Sequence, residues 1–421
     1  MDRRSFVKAV AGLSGIPLVS GAPAVLGAAR PVVVVVGGGF GGCTVARYLR
    51  LWDPGIDVLL IERQAQFVSC PMSNLILSGD RTLAQNTFSY ASLEKLGVTR
   101  LRAEVTAIDH DRREIIVGGQ RIRYDRLVLS PGIDFLWDTV AGLDAEIAEK
   151  TVPHAWKAGP QTTRLRAMLE ALPDGGTYLL SIPKSPYRCP PGPYERASLV
   201  ASYFKREKPK SKVLVLDANP DIVSKKGLFL KAWSELYPGI VDYRPNAAVL
   251  EVDAKRGGVT TDFDTVEADL LNVIPPHGAG RIAHLAGVVN VDQRWAGVDF
   301  QTYESTAVPG IHVLGDATSA SPTPKSAHTA NNQAKVAASA IIAALRGEAP
   351  NAVPVSANTC YSFVSPGEAV HVAGVYRFDA EKRSLVTVEG TLGVSKERTA
   401  LEADYAHAWA ENIWRDTLGF R

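Results

Sequence analysis

The chain has 421 residues, 46% of them hydrophobic and 21% charged, enough for two or three domains with their own cores. Three basic residues and one acidic residue lie before position 29, and beyond it the counts are 43 and 43, a balance that gives no reason to expect nucleic acid or a membrane surface as partner. Four cysteines without any C-x-x-C exclude a zinc knuckle and a thioredoxin-type motif, and the lack of C-x-x-C-H means that no haem is attached to this chain. No metal site is expected.

Residues 1–28 are expected to lie outside the fold. Arg3, Arg4, Ser5, Phe6, Val7 and Lys8 match the twin-arginine export pattern. A weakly apolar run from Ala9 to Val19 follows, too short and too broken by glycine, serine and proline to span a bilayer. Leu26, Gly27 and Ala28 make a plausible cleavage site, so the expectation is a signal peptide and a periplasmic protein exported already folded around its cofactor.

Val32 to Val36 are five consecutive valines, which predict a buried strand. Gly37, Gly39 and Gly42 come next at the G-x-G-x-x-G spacing, and a helix is predicted over Cys43–Leu51. The first glycine permits the turn, the second admits a pyrophosphate to the backbone, and the third lets the helix pack on its strand. A second strand over Asp57–Ile61 ends in Glu62, about twenty residues past the last glycine, where a ribose hydroxyl needs an acceptor. Together these predict a dinucleotide-binding β-α-β unit. Cys43, on the helix, is expected to be a buried inert thiol.

Short strands are predicted at Val98–Ile108, Glu114–Val117 and Gln120–Arg123, and a buried strand over Arg126–Leu129 runs into Ser130, Pro131 and Gly132. Strands at Thr177–Ile182, Val213–Asp217 and Leu270–Ile274 then open a second α/β block. The loop after its first strand, Pro183 to Pro193, holds five prolines and one glycine, so it lacks the N–H cradle a pyrophosphate needs. A nicotinamide site is therefore not expected. Cys189 lies in this loop, and Glu195 lies six residues on, in a predicted first helical turn, where an acid also simply complements the dipole.

Ile311–Leu314 is a predicted strand entering Gly315 and Asp316, the second FAD signature of flavoproteins similar to the disulfide reductases; the acid is expected to meet the ribitol chain. A helix over Ala327–Leu345 follows, and the tail from Val353 is read as α+β. The fold class is thus α/β, with two Rossmann-like domains resembling those of glutathione reductase and an α+β C-terminal domain. The expected boundaries are 29–150 with 278–350 for the FAD-binding domain, 151–277 for a second Rossmann-like domain without an NAD site, and 351–421 for an interface or cap domain.

The glycine loop, Phe67-Val68-Ser69-Cys70-Pro71, Cys189 among prolines, Gly315-Asp316 and Cys360 together resemble the flavoprotein subunit of flavocytochrome c sulfide dehydrogenase, over essentially the whole chain. That resemblance implies FAD bound covalently through Cys70, a redox disulfide between Cys189 and Cys360, and Glu195 as an acid-base candidate. It also implies sulfide as substrate and a separate c-type cytochrome subunit, carrying the haem, as partner in a heterodimer. The alternatives are an accessory flavoprotein of the thiosulfate-oxidising system and a sulfide:quinone oxidoreductase; the latter needs an amphipathic membrane-binding tail, which acids at Glu402, Asp404 and Glu411 argue against.

Overall fold

The computed structural model describes residues 30–420, so the expected signal peptide lies outside the described residues. In chain order the elements that position the site are β1 (Val32–Val36), α1 (Phe40–Trp52), β2 (Asp57–Ile61), β3 (Val98–Leu101) and β4 (Arg126–Leu129). Next come β5 (Thr177–Ile182), α2 (Gly192–Glu207), β6 (Lys212–Asp217), β7 (Val241–Arg244) and β8 (Leu270–Val273). The chain continues through β9 (Ile311–Val313), α3 (Ala327–Arg346), β10 (Val355–Ser365), β11 (Glu368–Asp379), β12 (Ser384–Thr387) and α4 (Ala400–Leu418).

The first sheet runs β9-β4-β1-β2-β3, with every pairing parallel. Its centre is β1, whose five valines are all buried, as a central strand covered on both faces requires. The second sheet is also parallel, in the order β7-β6-β5-β8. Strands leave both sheets at their carboxyl ends toward a common cleft, the place where open α/β sheets bind ligands.

Two crossovers join the sheets, and they pair with each other. Ile133–Phe135, on the way out, lies antiparallel to His277–Ala279, on the way back. The C-terminal part is an antiparallel sheet of β10, β11 and β12 with Gly393–Val394 added to β11. Thr399 caps α4 by accepting from the Glu402 amide, and α4 packs on β11 and α1 through Ala403, Ala406, Ala410, Ile413 and Trp414.

Two elements differ from expectation. The predicted strand over Val98–Ile108 is two strands in different sheets: β3 pairs with β2, and Val105–Asp109 turns away into a small antiparallel sheet with Glu114–Val117. The break falls at Arg102, Ala103 and Glu104, which are weaker strand formers than the residues on either side, but no glycine or proline marks it. Helix α1 begins at Phe40 rather than Cys43, because Gly41 and Gly42 are already helical and the cap is Gly39.

Candidate active site

The glycine loop is built as its spacing requires. Gly37 has φ +103°, and a Cβ there would stand 2.3 Å from the Ser130 carbonyl oxygen. A Cβ on Gly42 would stand 1.8 Å from the Gly37 oxygen, so this glycine lets α1 close on β1. Gly39 has nothing within 4 Å and faces open space, which is the room a ligand's phosphates need. As the N-cap it offers no side-chain hydrogen bond, and the first turn of α1 holds no acid, so the positive helix end is left to an anion. Glu62 stands beside this end, accepting from the Gly38 amide at 2.6 Å and the Gln64 amide at 2.7 Å.

A cavity of about 700 Å³ runs from Gly37, Gly39 and Glu62 past Cys70 to Cys189, Glu195, Gly315, Asp316 and Cys360. Gly42 is the one expected cofactor residue that does not line it; its role is packing. Asp316 gives the sharpest test of fit for FAD. Its Oδ1 is buried without a hydrogen-bond partner, and burial raises its carboxyl while Arg188 and Lys325 oppose the rise. An unpaired buried acceptor aimed along a cavity fits a polyol hydroxyl. Gly315, at φ +74°, donates its amide to Gln333 Oε1 at 2.7 Å and so fixes the turn carrying Asp316. The residues present fit FAD.

Three of the four cysteines line this cavity, as half-buried side chains. Cys43 does not; it is fully buried with Sγ 3.1 Å from the Gly38 oxygen, and burial raises its thiol far above the ordinary range. Cys70 sits in a turn pinned by the Asn86 side chain, which donates to the Ser69 and Pro71 carbonyls at 3.1 Å each, and by Trp414 Nε1, which donates to Ser69 Oγ at 2.8 Å. Cys189 and Cys360 are brought together from positions 171 apart in the chain. Both are free cysteines in this structure. Burial raises both, and charge on Cys360 raises Cys189 further.

Glu195 lies in the first turn of α2, as expected, but it is enclosed rather than a surface dipole acid. It accepts from Asn74 Nδ2 at 2.8 Å and from the Phe363 amide at 2.9 Å, and burial raises its carboxyl above the usual range. Beside it Arg196 is buried, donating to Asn74, His154, Ala155 and Asn272 oxygens.

Two site residues carried no sequence signal. Lys225 is buried at 8% exposure, with Nζ donating to the Cys360 carbonyl at 3.0 Å and to Ser362 Oγ at 2.8 Å. Burial pulls its ammonium down to about 8. Asn358 places Nδ2 3.4 Å from Cys360 Sγ, its Oδ1 being held by Ser326 Oγ at 2.6 Å. Neither position belongs to a motif; a lysine before a helix and an asparagine in a strand acquire meaning only through the fold.

The second nucleotide loop is filled by its own chain. Beyond its five prolines, the Ser185 amide donates to Asn219 Oδ1, the Arg188 amide to His277 Nδ1, the Cys189 amide to the Lys325 carbonyl and the Gly192 amide to the Cys189 carbonyl. Asp217, at the end of β6 where a ribose acceptor belongs, is fully buried and accepts from Tyr194 Oη at 2.7 Å and Tyr243 Oη at 2.9 Å.

Fold and site define an FAD-binding oxidoreductase with two dinucleotide-type sheets, one keeping its cradle and one rebuilt around a cysteine. Residues 31–160 match the family model for pyridine nucleotide-disulphide oxidoreductases. Residues 162–275 match the central part of the sulfide dehydrogenase [flavocytochrome c] flavoprotein chain, and residues 352–418 the flavin-binding part of flavocytochrome c sulphide dehydrogenase. A stretch of 44 residues is 59% identical to the sulfide dehydrogenase [flavocytochrome c] flavoprotein chain of Chlorobaculum thiosulfatiphilum, covering 10% of this chain and 92% of that sequence. The mitochondrial sulfide:quinone oxidoreductase of Dictyostelium discoideum is 24% identical over 317 residues, 72% of this chain and 69% of that one. Among solved structures, the sulfide:quinone oxidoreductase of Aquifex aeolicus superposes with a TM-score of 0.74 at 19% identity, covering 92% of each chain. The protein belongs to the family of flavocytochrome c sulfide dehydrogenase flavoprotein chains.

Proposed function

We propose that this chain is the flavoprotein of a periplasmic sulfide dehydrogenase, which oxidises sulfide at Cys189 and Cys360 and passes the electrons through FAD to a c-type cytochrome subunit. The observation that carries the reading is that Cys189, in a loop remade so that no pyrophosphate fits, faces Cys360 in the same cavity as the FAD cradle.

In the oxidised pair, hydrosulfide attacks one sulfur of the disulfide; a new S–S bond forms to the substrate sulfur, the old one breaks, and the other cysteine leaves as thiolate. Two electrons have then moved from sulfide to the protein. FAD, when bound, supplies a two-electron sink that releases electrons singly. Gly37, Gly39 and Glu62 would hold its adenosine diphosphate end and Asp316 its polyol, and Cys70 would anchor it as a thioether. Glu195, whose raised carboxyl retains its proton more readily than a surface acid, protonates or deprotonates the sulfur passing beside it.

An anaerobic titration with sulfide, and separately with NADH, tests this. Sulfide should bleach flavin absorbance at 1 equivalent per flavin on the order of the stoichiometry above, Cys189→Ser should abolish the bleaching while keeping the flavin, and NADH should have no effect. Bleaching by NADH sinks the reading of the proline loop. Acid precipitation should leave flavin with the protein pellet, and flavin in the supernatant removes the thioether at Cys70.

A second reading, quinone as acceptor, is favoured by the likeness to sulfide:quinone oxidoreductases. Among the described residues no helix is long and apolar enough to cross a membrane, and the exposed face of α4 carries Asp404, His407, Glu411 and Arg415, a poor lipid face. Sulfide-dependent reduction of a water-soluble quinone rather than cytochrome c would move the assignment there. A thiosulfate-oxidising partner system that regains activity on adding this chain, with no sulfide turnover of its own, would make it the accessory flavoprotein.

A further inference from the structure

We propose that Lys225 is a positioning residue of the thiol pair: tethered beside Cys360, its ammonium directs the electron pair of the broken S–S bond onto Cys360 and the incoming sulfur onto Cys189. The inference rests on the reading of Cys189 and Cys360 as a redox disulfide. The step it governs balances as HS⁻ plus Cys189–S–S–Cys360 giving Cys189–S–SH plus Cys360–S⁻; the substrate sulfur is oxidised by two electrons and the disulfide is reduced by the same two.

Lys225 carries a buried charge that no ion pair meets among the described residues. Lys225 is buried and sits in the left-handed region at φ +58°, a conformation a lysine adopts only when its surroundings impose it. Its tethers, the Cys360 carbonyl and the Ser362 hydroxyl, are both neutral oxygens. Among the described residues no carboxylate lies within ion-pair distance of Nζ. A buried cation without a counter-ion is costly, and the cost falls when a neighbouring group acquires negative charge. The groups facing it are Cys360 on β10, Glu195 on α2, Cys189 in the proline loop and Glu402 on α4, and Cys360 has the largest effect of the four.

The two sulfurs are unequally served. Cys360 Sγ meets Asn358 Nδ2 at 3.4 Å, and that amide is held in this orientation because Ser326 Oγ, at the N-cap of α3, donates to Oδ1. Lys225, Asn358 and Ser326 all favour a thiolate on Cys360. Cys189 instead stands by the start of α2, where Pro191 and Pro193 have no N–H to give and the Gly192 and Glu195 amides are spent on the Cys189 and Pro191 carbonyls. Both sulfurs face Glu195 and Lys225, but at Cys360 Lys225 is the largest influence after burial, whereas at Cys189 burial, charge on Cys360 and Glu195 all outweigh Lys225 and Arg188. Charge therefore belongs on Cys360.

Alkylation of the dithiothreitol-reduced holoprotein by iodoacetamide, read peptide by peptide by mass spectrometry between pH 6 and 10, tests this without using sulfide. Cys360 should react roughly tenfold faster than Cys189 at pH 8. Lys225→Met should slow Cys360 about tenfold and raise its pH midpoint by about one unit, Lys225→Arg should restore most of the rate, and Cys189 should change by less than about twofold. Faster reaction at Cys189 in the wild type, or an unchanged Cys360 profile in Lys225→Met, overturns the proposal. Should Lys225→Met not fold, Ser362→Val, which removes one tether, should slow Cys360 roughly threefold, and no change there is equally fatal. If wild-type flavin is not bleached by sulfide while the alkylation profile still shifts, the substrate reading fails and the placement of charge stands.

Discussion

The two parallel sheets begin with the same device, a strand delivering the chain through a turn to a helix N-terminus, and use it in opposite ways. After β1 the turn is glycine, Gly39 faces open space, and the acid at the end of the next strand, Glu62, stands at the cavity edge. After β5 the turn is proline, its amides are spent within the protein, and the corresponding acid, Asp217, is buried under two tyrosines. The same sheet plan is thus closed by its own chain: side chains stand beside the second turn where phosphates and ribose sit in a dinucleotide site, and the turn carries Cys189.

The first turn is most sensitive at Gly42. A Cβ 1.8 Å from a backbone oxygen cannot be absorbed by a side-chain shift, so Gly42→Ala should cost about 3 kcal/mol and shed flavin, read from the urea midpoint and the ratio of flavin to protein absorbance. In the second turn, Asp217→Ala leaves two tyrosine hydroxyls and Asn219 without their acceptor and should cost roughly 2.5 kcal/mol, with flavin content unchanged and still no bleaching by NADH. Recovery of NADH binding in that variant would mean that the tyrosine cluster alone closes the site.

Acid should loosen the second turn before the first. Burial, reinforced by Lys157, Arg196 and Arg188, holds His154 down to about 3, and His277, whose Nδ1 accepts from the Arg188 amide, is also held well below its ordinary value. Between pH 6.5 and the folded value the unfolded chain binds the extra proton, so stability present above pH 6.5 is lost as pH falls. His154 alone should account for about 2 kcal/mol between pH 7 and 5, and His154→Gln should flatten the fall of the urea midpoint over that range. The smallest effect is expected at Gly39→Ala, where stability should change by less than about 0.5 kcal/mol while flavin retention drops, because the methyl enters only the space reserved for phosphate.

What was legible followed from locality. The glycine loop, the strand pattern, Glu62 and Gly315-Asp316 are short-range signals whose chemistry depends on neighbours in sequence, and the proline loop announces its own lack of donors. The pairing of Cys189 with Cys360 as a redox disulfide rather than a structural crosslink rests on the place of Cys189 in the remade loop and on the family resemblance, since nothing in the segment around Cys360 points at Cys189. Lys225 and Asn358 were invisible for the same reason: each contributes one group to a point where α2, β10 and the turn after Cys70 converge. The strand predicted over Val98–Ile108 ran too far because neither glycine nor proline marks the change of sheet at Arg102, Ala103 and Glu104.

The antiparallel pairing of Ile133–Phe135 with His277–Ala279 has an evolutionary consequence. The chain leaves the FAD-binding sheet and re-enters it through one doorway, its two lanes separated only by the width of a strand ladder, about 5 Å. Everything between them is therefore an inserted cassette, removable at two adjacent points. The segment between them can thus change its own loops while the parallel sheet built on β1 keeps every strand in place.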